Sequence, residues 1–84
     1  MAYGIFLKRS AEKELRSLPA KIHNKIIEIL VSLKENPRPL GVKNLRGREG
    51  YRIRIGDYRI LYLLDDHERK IEIFSIAHRR EVYR

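Results

Sequence analysis

The sequence predicts an α+β fold: an N-terminal strand, a helical hairpin, then a three-stranded antiparallel meander that joins one sheet. Three observations predict it. Apolar residues recur at helical spacing between Ala11 and Leu33. From Tyr51 onward the period drops to two. The pair Gly56-Asp57 and the polar stretch from Asp65 to Arg69 punctuate that second half as turns. Residues 1–84 read as one domain with one modest core.

Each element has a local reason. Tyr3 to Leu7 is a short apolar run and reads as the first strand. Ser10 is expected to cap the first helix by accepting a backbone N–H. Glu12 in its first turn suits the helix dipole. Ala11, Leu15 and Leu18 recur on one face. Pro19 closes this helix and opens the next, where its missing N–H costs little. Ile22, Ile26, Ile29, Leu30 and Leu33 then form one apolar stripe. Asn36 precedes Pro37 and stops the second helix, because the residue before proline avoids the α region.

Residues 37–50 read as irregular and basic. Tyr51, Ile53 and Ile55 alternate with Arg52 and Arg54. Tyr58, Ile60, Tyr62 and Leu64 alternate with Arg59, Leu61 and Leu63. Gly56 suits the first position of a type II′ turn, which needs positive φ there. Lys70 to Ile76 is the last strand, and residues 77–84 carry no assignment. The helices are expected to cover the face of Tyr51, Ile53, Ile55, Tyr58, Ile60 and Tyr62. Arg52, Arg54 and Arg59 then lie on the open face.

The charge balance narrows the function. Lys plus Arg total 19 against 11 Asp plus Glu, a net charge of +8. Such a surface suits nucleic acid, an anionic membrane or an acidic protein. A merely solvated basic surface is the plain alternative. There is no cysteine, so no disulfide framework or thiolate metal site is expected. No run approaches the ~20 apolar residues of a membrane span. Gly4-Ile5-Phe6-Leu7 is too short for a signal peptide. A soluble, cytoplasmic protein without membrane contact is expected. His23, His67 and His78 lack zinc spacing, and no glycine-rich phosphate loop is present. Neither a metal nor a cofactor is expected.

The two-residue turn sets Arg54 directly opposite Arg59. Like charges in that position are destabilising unless a polyanion relieves them. Guanidinium is charged at any working pH and its fork matches phosphate. The plain alternative is surface pairing with Glu49, Asp57 or Glu72. Two further groups lie near the end of the chain. His78 carries an imidazole, the side-chain type whose unperturbed pKa lies nearest neutrality. Tyr83 can form phenolate if positive charge is close. Taken alone, each reads first as something plainer, a surface histidine and a terminal aromatic that plugs the core or stacks on a base. Metal-free phosphodiester chemistry is feasible on RNA, where the adjacent 2′-hydroxyl supplies the nucleophile.

Four runs carry a resemblance: Lys43-Asn44-Leu45-Arg46-Gly47, Tyr51-Arg52-Ile53-Arg54-Ile55, Tyr58-Arg59-Ile60-Leu61-Tyr62 and His78-Arg79-Arg80-Glu81-Val82-Tyr83. In this order they resemble the RelE/ParE superfamily of toxins, and its RelE branch most. The resemblance implies a microbial RNase-like RelE fold and the toxin of a type II toxin–antitoxin pair. It implies an mRNA interferase, a metal-independent endoribonuclease that cuts mRNA in the ribosomal A site by 2′-hydroxyl attack. A cognate antitoxin would neutralise it, and operator DNA would be met through that complex alone.

By the same resemblance Arg59 is a phosphate binder. Arg79 stabilises the transition state or helps the leaving group, and Tyr83 is the base or a stacking platform. Arg52 and Arg54 stand where the best-studied branch has lysines. Arginine is always protonated, so charge stabilisation is the role left to them. His78 is expected to share proton transfer with Tyr83. Lys43, Arg46, Arg48 and Arg80 are expected to hold the RNA. The alternatives are a ParE-like inhibitor of DNA gyrase and a catalytically inactive module that binds antitoxin and operator.

Overall fold

The computed structural model describes residues 2–78. Its elements are β1 (Gly4–Leu7), α1 (Arg9–Arg16), α2 (Ala20–Glu35), β2 (Lys43–Asn44), β3 (Tyr51–Ile55), β4 (Tyr58–Asp65) and β5 (Lys70–His78). They form the expected α+β fold, with one five-stranded mixed sheet in the order β1-β5-β4-β3-β2. The helical excursion returns the chain so that β1 runs parallel to β5, with Ile5 beside Ile71 and Leu7 beside Ile73. The other pairings are antiparallel.

Both helices cover one face. Ala11 and Leu15 of α1, and Ile26, Leu30 and Leu33 of α2, close over Ile60, Tyr62, Ile71, Ile73 and Ile76. Each large aliphatic side chain buried this way stabilises by about 1.5–3 kcal/mol. Tyr51, Ile53 and Ile55 pack at the margin of the same core, so the covered face is the expected one. Buried Tyr62 stacks on Tyr51 with ring centroids 5.7 Å apart. Its hydroxyl donates to the Pro37 carbonyl at 2.7 Å, and burial pushes its pKa up to about 12.

The α2 stripe ends where expected, at an extended Asn36. The β3–β4 turn has positive φ at Gly56 and not at Asp57, as type II′ requires. Three local features differ from expectation. Ser10 does not cap α1, which begins at Arg9 with Lys8 in the capping position and no side-chain cap bond. The reason is that β1 runs straight into the helix. The Lys8 N–H still donates to Ile73 in the sheet, while the Lys8 carbonyl already accepts from Glu12, both at 2.9 Å.

The stretch 37–50 is not wholly irregular. Lys43 and Asn44 pair with Arg52 and Tyr51 as an edge strand, and the Leu45 N–H closes the connection on the Gly50 carbonyl at 3.0 Å. β5 also runs further than expected, to His78. Its last turn of strand extends past the end of β1, leaving outer-edge N–H groups without a strand partner. Glu14 of α1 accepts one of them, from Ile76 at 3.0 Å; buried backbone donors need such partners.

Gly50 is where the β2–β3 connection meets the sheet. It is buried with φ 133, and a Cβ there would lie 2.9 Å from Leu45 Cδ1 and 3.1 Å from the Tyr62 carbonyl oxygen. Gly50→Ala is expected to destabilise the protein by about 1–3 kcal/mol, the range of forced backbone strain. Urea unfolding followed by circular dichroism measures it, and Gly47→Ala, where a Cβ meets nothing within 4 Å, is the control for positive φ alone.

Candidate nucleic-acid interface

Strand pairing builds the face opposite the helices. Arg54 stands directly opposite Arg59, and Lys43 directly opposite Arg52. Cross-strand partners point to the same face. Four cations from three neighbouring strands therefore share the surface that the core does not use. Arg52 and Arg54 make no ion pair among the described residues, so pairing with Glu49, Asp57 or Glu72 does not account for them. Arg59 differs from expectation. It lies on this face but is only 1% exposed, which makes it the floor of the cationic row rather than its rim. Arg54 is exposed and Arg52 half-buried.

A bulge shapes the rest of the face. Leu61 pairs with Ser75 but Tyr62 pairs with Ile73, so Phe74 is an extra residue in β5. Phe74 and Ser75 consequently both point to the arginine side. The guanidinium of Arg48 lies over the Phe74 ring, 4.7 Å from its centroid. Arg46, in the same connection, is exposed.

The bulge also shifts the parity of everything after it. Ile76 faces the core beside Ile60, Ala77 faces Arg59, and His78 faces Tyr58. His78 is therefore on the helix side of the sheet, with its ring edge-on to Tyr58 at 5.2 Å. This register sets His78 on the face opposite Arg52, Arg54 and Arg59; its expected partner in proton transfer, Tyr83, lies outside the described residues. Arg79, Arg80 and Tyr83 lie outside the described residues. Among the described residues no three His, Asp or Glu side chains gather as metal ligands, and no helix is long and apolar enough to cross a membrane.

This geometry sits on a known fold. Residues 5–83 match the ParE toxin family of type II toxin–antitoxin systems. The chain belongs to that family. Its curated relatives include the toxin RelE of Mycobacterium tuberculosis, 36% identical over 84 residues that cover 98% of this chain and 87% of that one. The archaeal RelE–RelB complex from Pyrococcus horikoshii superposes with a TM-score of 0.84 at 29% identity, covering 94% of this chain and 97% of that one. The intact RelBE toxin–antitoxin complex of E. coli gives 0.81 at 29% identity, covering 92% and 96%. This is a type II toxin of the RelE kind.

The shifted acid–base groups of this toxin lie away from the cationic row. Arg38 donates to both Asp66 oxygens, at 3.1 and 2.7 Å, and to the Tyr51 hydroxyl at 3.1 Å. The Tyr3 hydroxyl donates to the same carboxylate at 2.6 Å. These bonds fasten the chain after α2, the start of β1 and the β4–β5 turn together. The sequence carries no short-range signal for this cluster, because its members are separated by up to 63 positions. Arg38 first, then Tyr3, holds the Asp66 carboxyl down to about 2. The same bond to Asp66 raises the Tyr3 hydroxyl.

A carboxylate depressed in the folded state stabilises above its unfolded value of 3.8 and loses that contribution as pH falls through about 2. Asp66→Asn is therefore expected to lower the melting temperature at pH 6 and to converge with the parent protein near pH 2. Paired thermal melts across that range check it.

Proposed function

We propose that this toxin is an mRNA interferase, a ribosome-dependent endoribonuclease whose arginine face grips the scissile phosphate. The observation that carries the reading is the pair of like-charge oppositions, Lys43 with Arg52 and Arg54 with Arg59. A sheet face that gathers like charges in this way is complementary to a polyanion. Arg52 and Arg54 bind the phosphodiester and stabilise the added charge of a pentacovalent transition state, and buried Arg59 adds positive field from beneath them. Attack comes from the adjacent 2′-hydroxyl, giving a cyclic phosphate and a free 5′-hydroxyl.

Arginine moves no proton at neutral pH. With His78 on the other face, proton transfer falls to Tyr83, with Arg79 supporting the leaving group. Lys43, Arg46 and Arg80 add backbone contacts. The same cationic face suits capture by an acidic cognate antitoxin, where charge complementarity raises the rate and selectivity of association. Operator DNA is met through that complex.

The ParE description of the matched family favours a second reading, inhibition of DNA gyrase without RNA chemistry. The two part on one experiment, primer extension on a reporter mRNA during expression. Arg52→Ala combined with Arg54→Ala is expected to reduce codon-positioned cuts by about a hundredfold or more and to relieve growth arrest. His78→Ala is expected to keep the cut pattern. Arrest that persists in the double variant together with DNA damage would replace the first reading with the second.

A further inference from the structure

The bulge that misaligns β5 with β4 leaves an aromatic ring on the cationic side of the sheet. Phe74 is the extra residue, half-buried, and it is capped by Arg48 at 4.7 Å. This is a cation–π contact of ordinary range. Its setting is not ordinary. The connection that delivers Arg48 is held at both ends, by the Leu45–Gly50 bond of 3.0 Å and by Gly50 lying against the Tyr62 carbonyl and the Leu63 side chain. Arg48 is nevertheless exposed. The guanidinium carbon lies over the ring while the side chain as a whole remains accessible to solvent.

Position decides what such a plane is for. Ser75, next to Phe74, pairs with Leu61, and Leu61 pairs with Arg52. Two strand spacings separate them, about 10 Å. One single-stranded RNA can therefore lie on both. Beyond Phe74 the face changes sign. Glu49, Asp65, Asp66 and Glu72 outnumber the single cation Lys70 in a shallow groove around Phe6 and Leu63. Those carboxylates repel phosphate, so the backbone is held at the arginine row while the next group along must be neutral and flat. An unpaired nucleobase fits both demands, since guanidinium and aromatic planes stack on bases irrespective of sequence.

We propose that Arg48 on Phe74 is a base-stacking subsite for a nucleotide flanking the phosphate bound by Arg52 and Arg54. It rests on the RNA-cleaving reading and adds to it a contact with a base rather than with backbone.

The test is equilibrium binding of the full chain to a short single-stranded RNA, blocked at the 2′-hydroxyls so that it is not cut. One probe carries 2-aminopurine at a single position, moved along the oligonucleotide. A matched probe is abasic there. At the stacked position the parent protein is expected to quench 2-aminopurine and to bind the base-bearing RNA more tightly than the abasic one.

Phe74→Leu and Arg48→Lys are each expected to weaken the base-bearing complex roughly tenfold, within the range of stacking losses. Neither is expected to change abasic binding or the salt dependence, because no phosphate contact is lost. Arg48→Lys keeps the charge at an exposed site, so it reports stacking even where Phe74→Leu disturbs the fold. Equal binding of both probes by the parent protein, or an unchanged affinity for the base-bearing RNA in Arg48→Lys, overturns the subsite. If Arg52→Ala still weakens binding in that case, the RNA reading stands without it. No binding of either probe by the parent protein overturns the subsite, while the RNA reading is decided by the primer-extension experiment on translated mRNA.

Discussion

The register between β4 and β5 governs this molecule. β4 is the middle strand of the sheet and β5 joins it to β1, so every side chain's face is set by how these two align. Up to Ile73 the alignment is regular and puts Ile71 and Ile73 into the core. One inserted residue, Phe74, then shifts the phase. Were the same residues paired without a bulge, Ile76 would fall opposite Arg59, outside the core, and Ala77 would take its side of the sheet. With it, Ile76 stays buried over Ile60, small Ala77 sits beside Arg59, and an aromatic ring is delivered to the cationic face. Bulges of this kind commonly re-aim side chains next to functional sites.

The two faces of the sheet divide the physical tasks. The helix side holds the apolar cluster that stabilises the fold. The opposite side accepts like-charge neighbours that weaken strand pairing by a few tenths to about 1 kcal/mol each. A protein that places Arg59 at 1% exposure on its middle strand is departing from the local rules of stable design, and such departures concentrate where function is. The core contributes the stability that makes the departure tolerable.

Charge on the cationic side is also ordered along the strands. Lys43, Arg52, Arg54 and Arg59 occupy one region, while Glu49, Asp65 and Glu72 border Phe6 and Leu63 in another. The net charge of +8 is thus not a uniform coat. A polyanion meeting this surface is attracted at one end and repelled at the other, which orients it. Orientation of this sort affects the encounter as much as the final contact.

By itself the sequence determined what depends on near neighbours. The stripe from Ile22 to Leu33, the stop at Asn36-Pro37, the Gly56 turn and the opposition of Arg54 and Arg59 all follow from periods and turn chemistry within a few residues. Tertiary structure decided the pairing of Lys43 with Arg52, the parallel docking of β1 on β5, the Arg38–Asp66–Tyr3 cluster and the start of α1 at Arg9 rather than after Ser10. These depend on backbone groups brought together across many positions, which no local pattern specifies. His78 lies between the two cases. Ile71 and Ile73 alternate, and Ile76 falls out of phase, so the sequence did carry a sign of the bulge. The side on which His78 emerges still required the register, because a single extra residue in a strand of period two exchanges its faces.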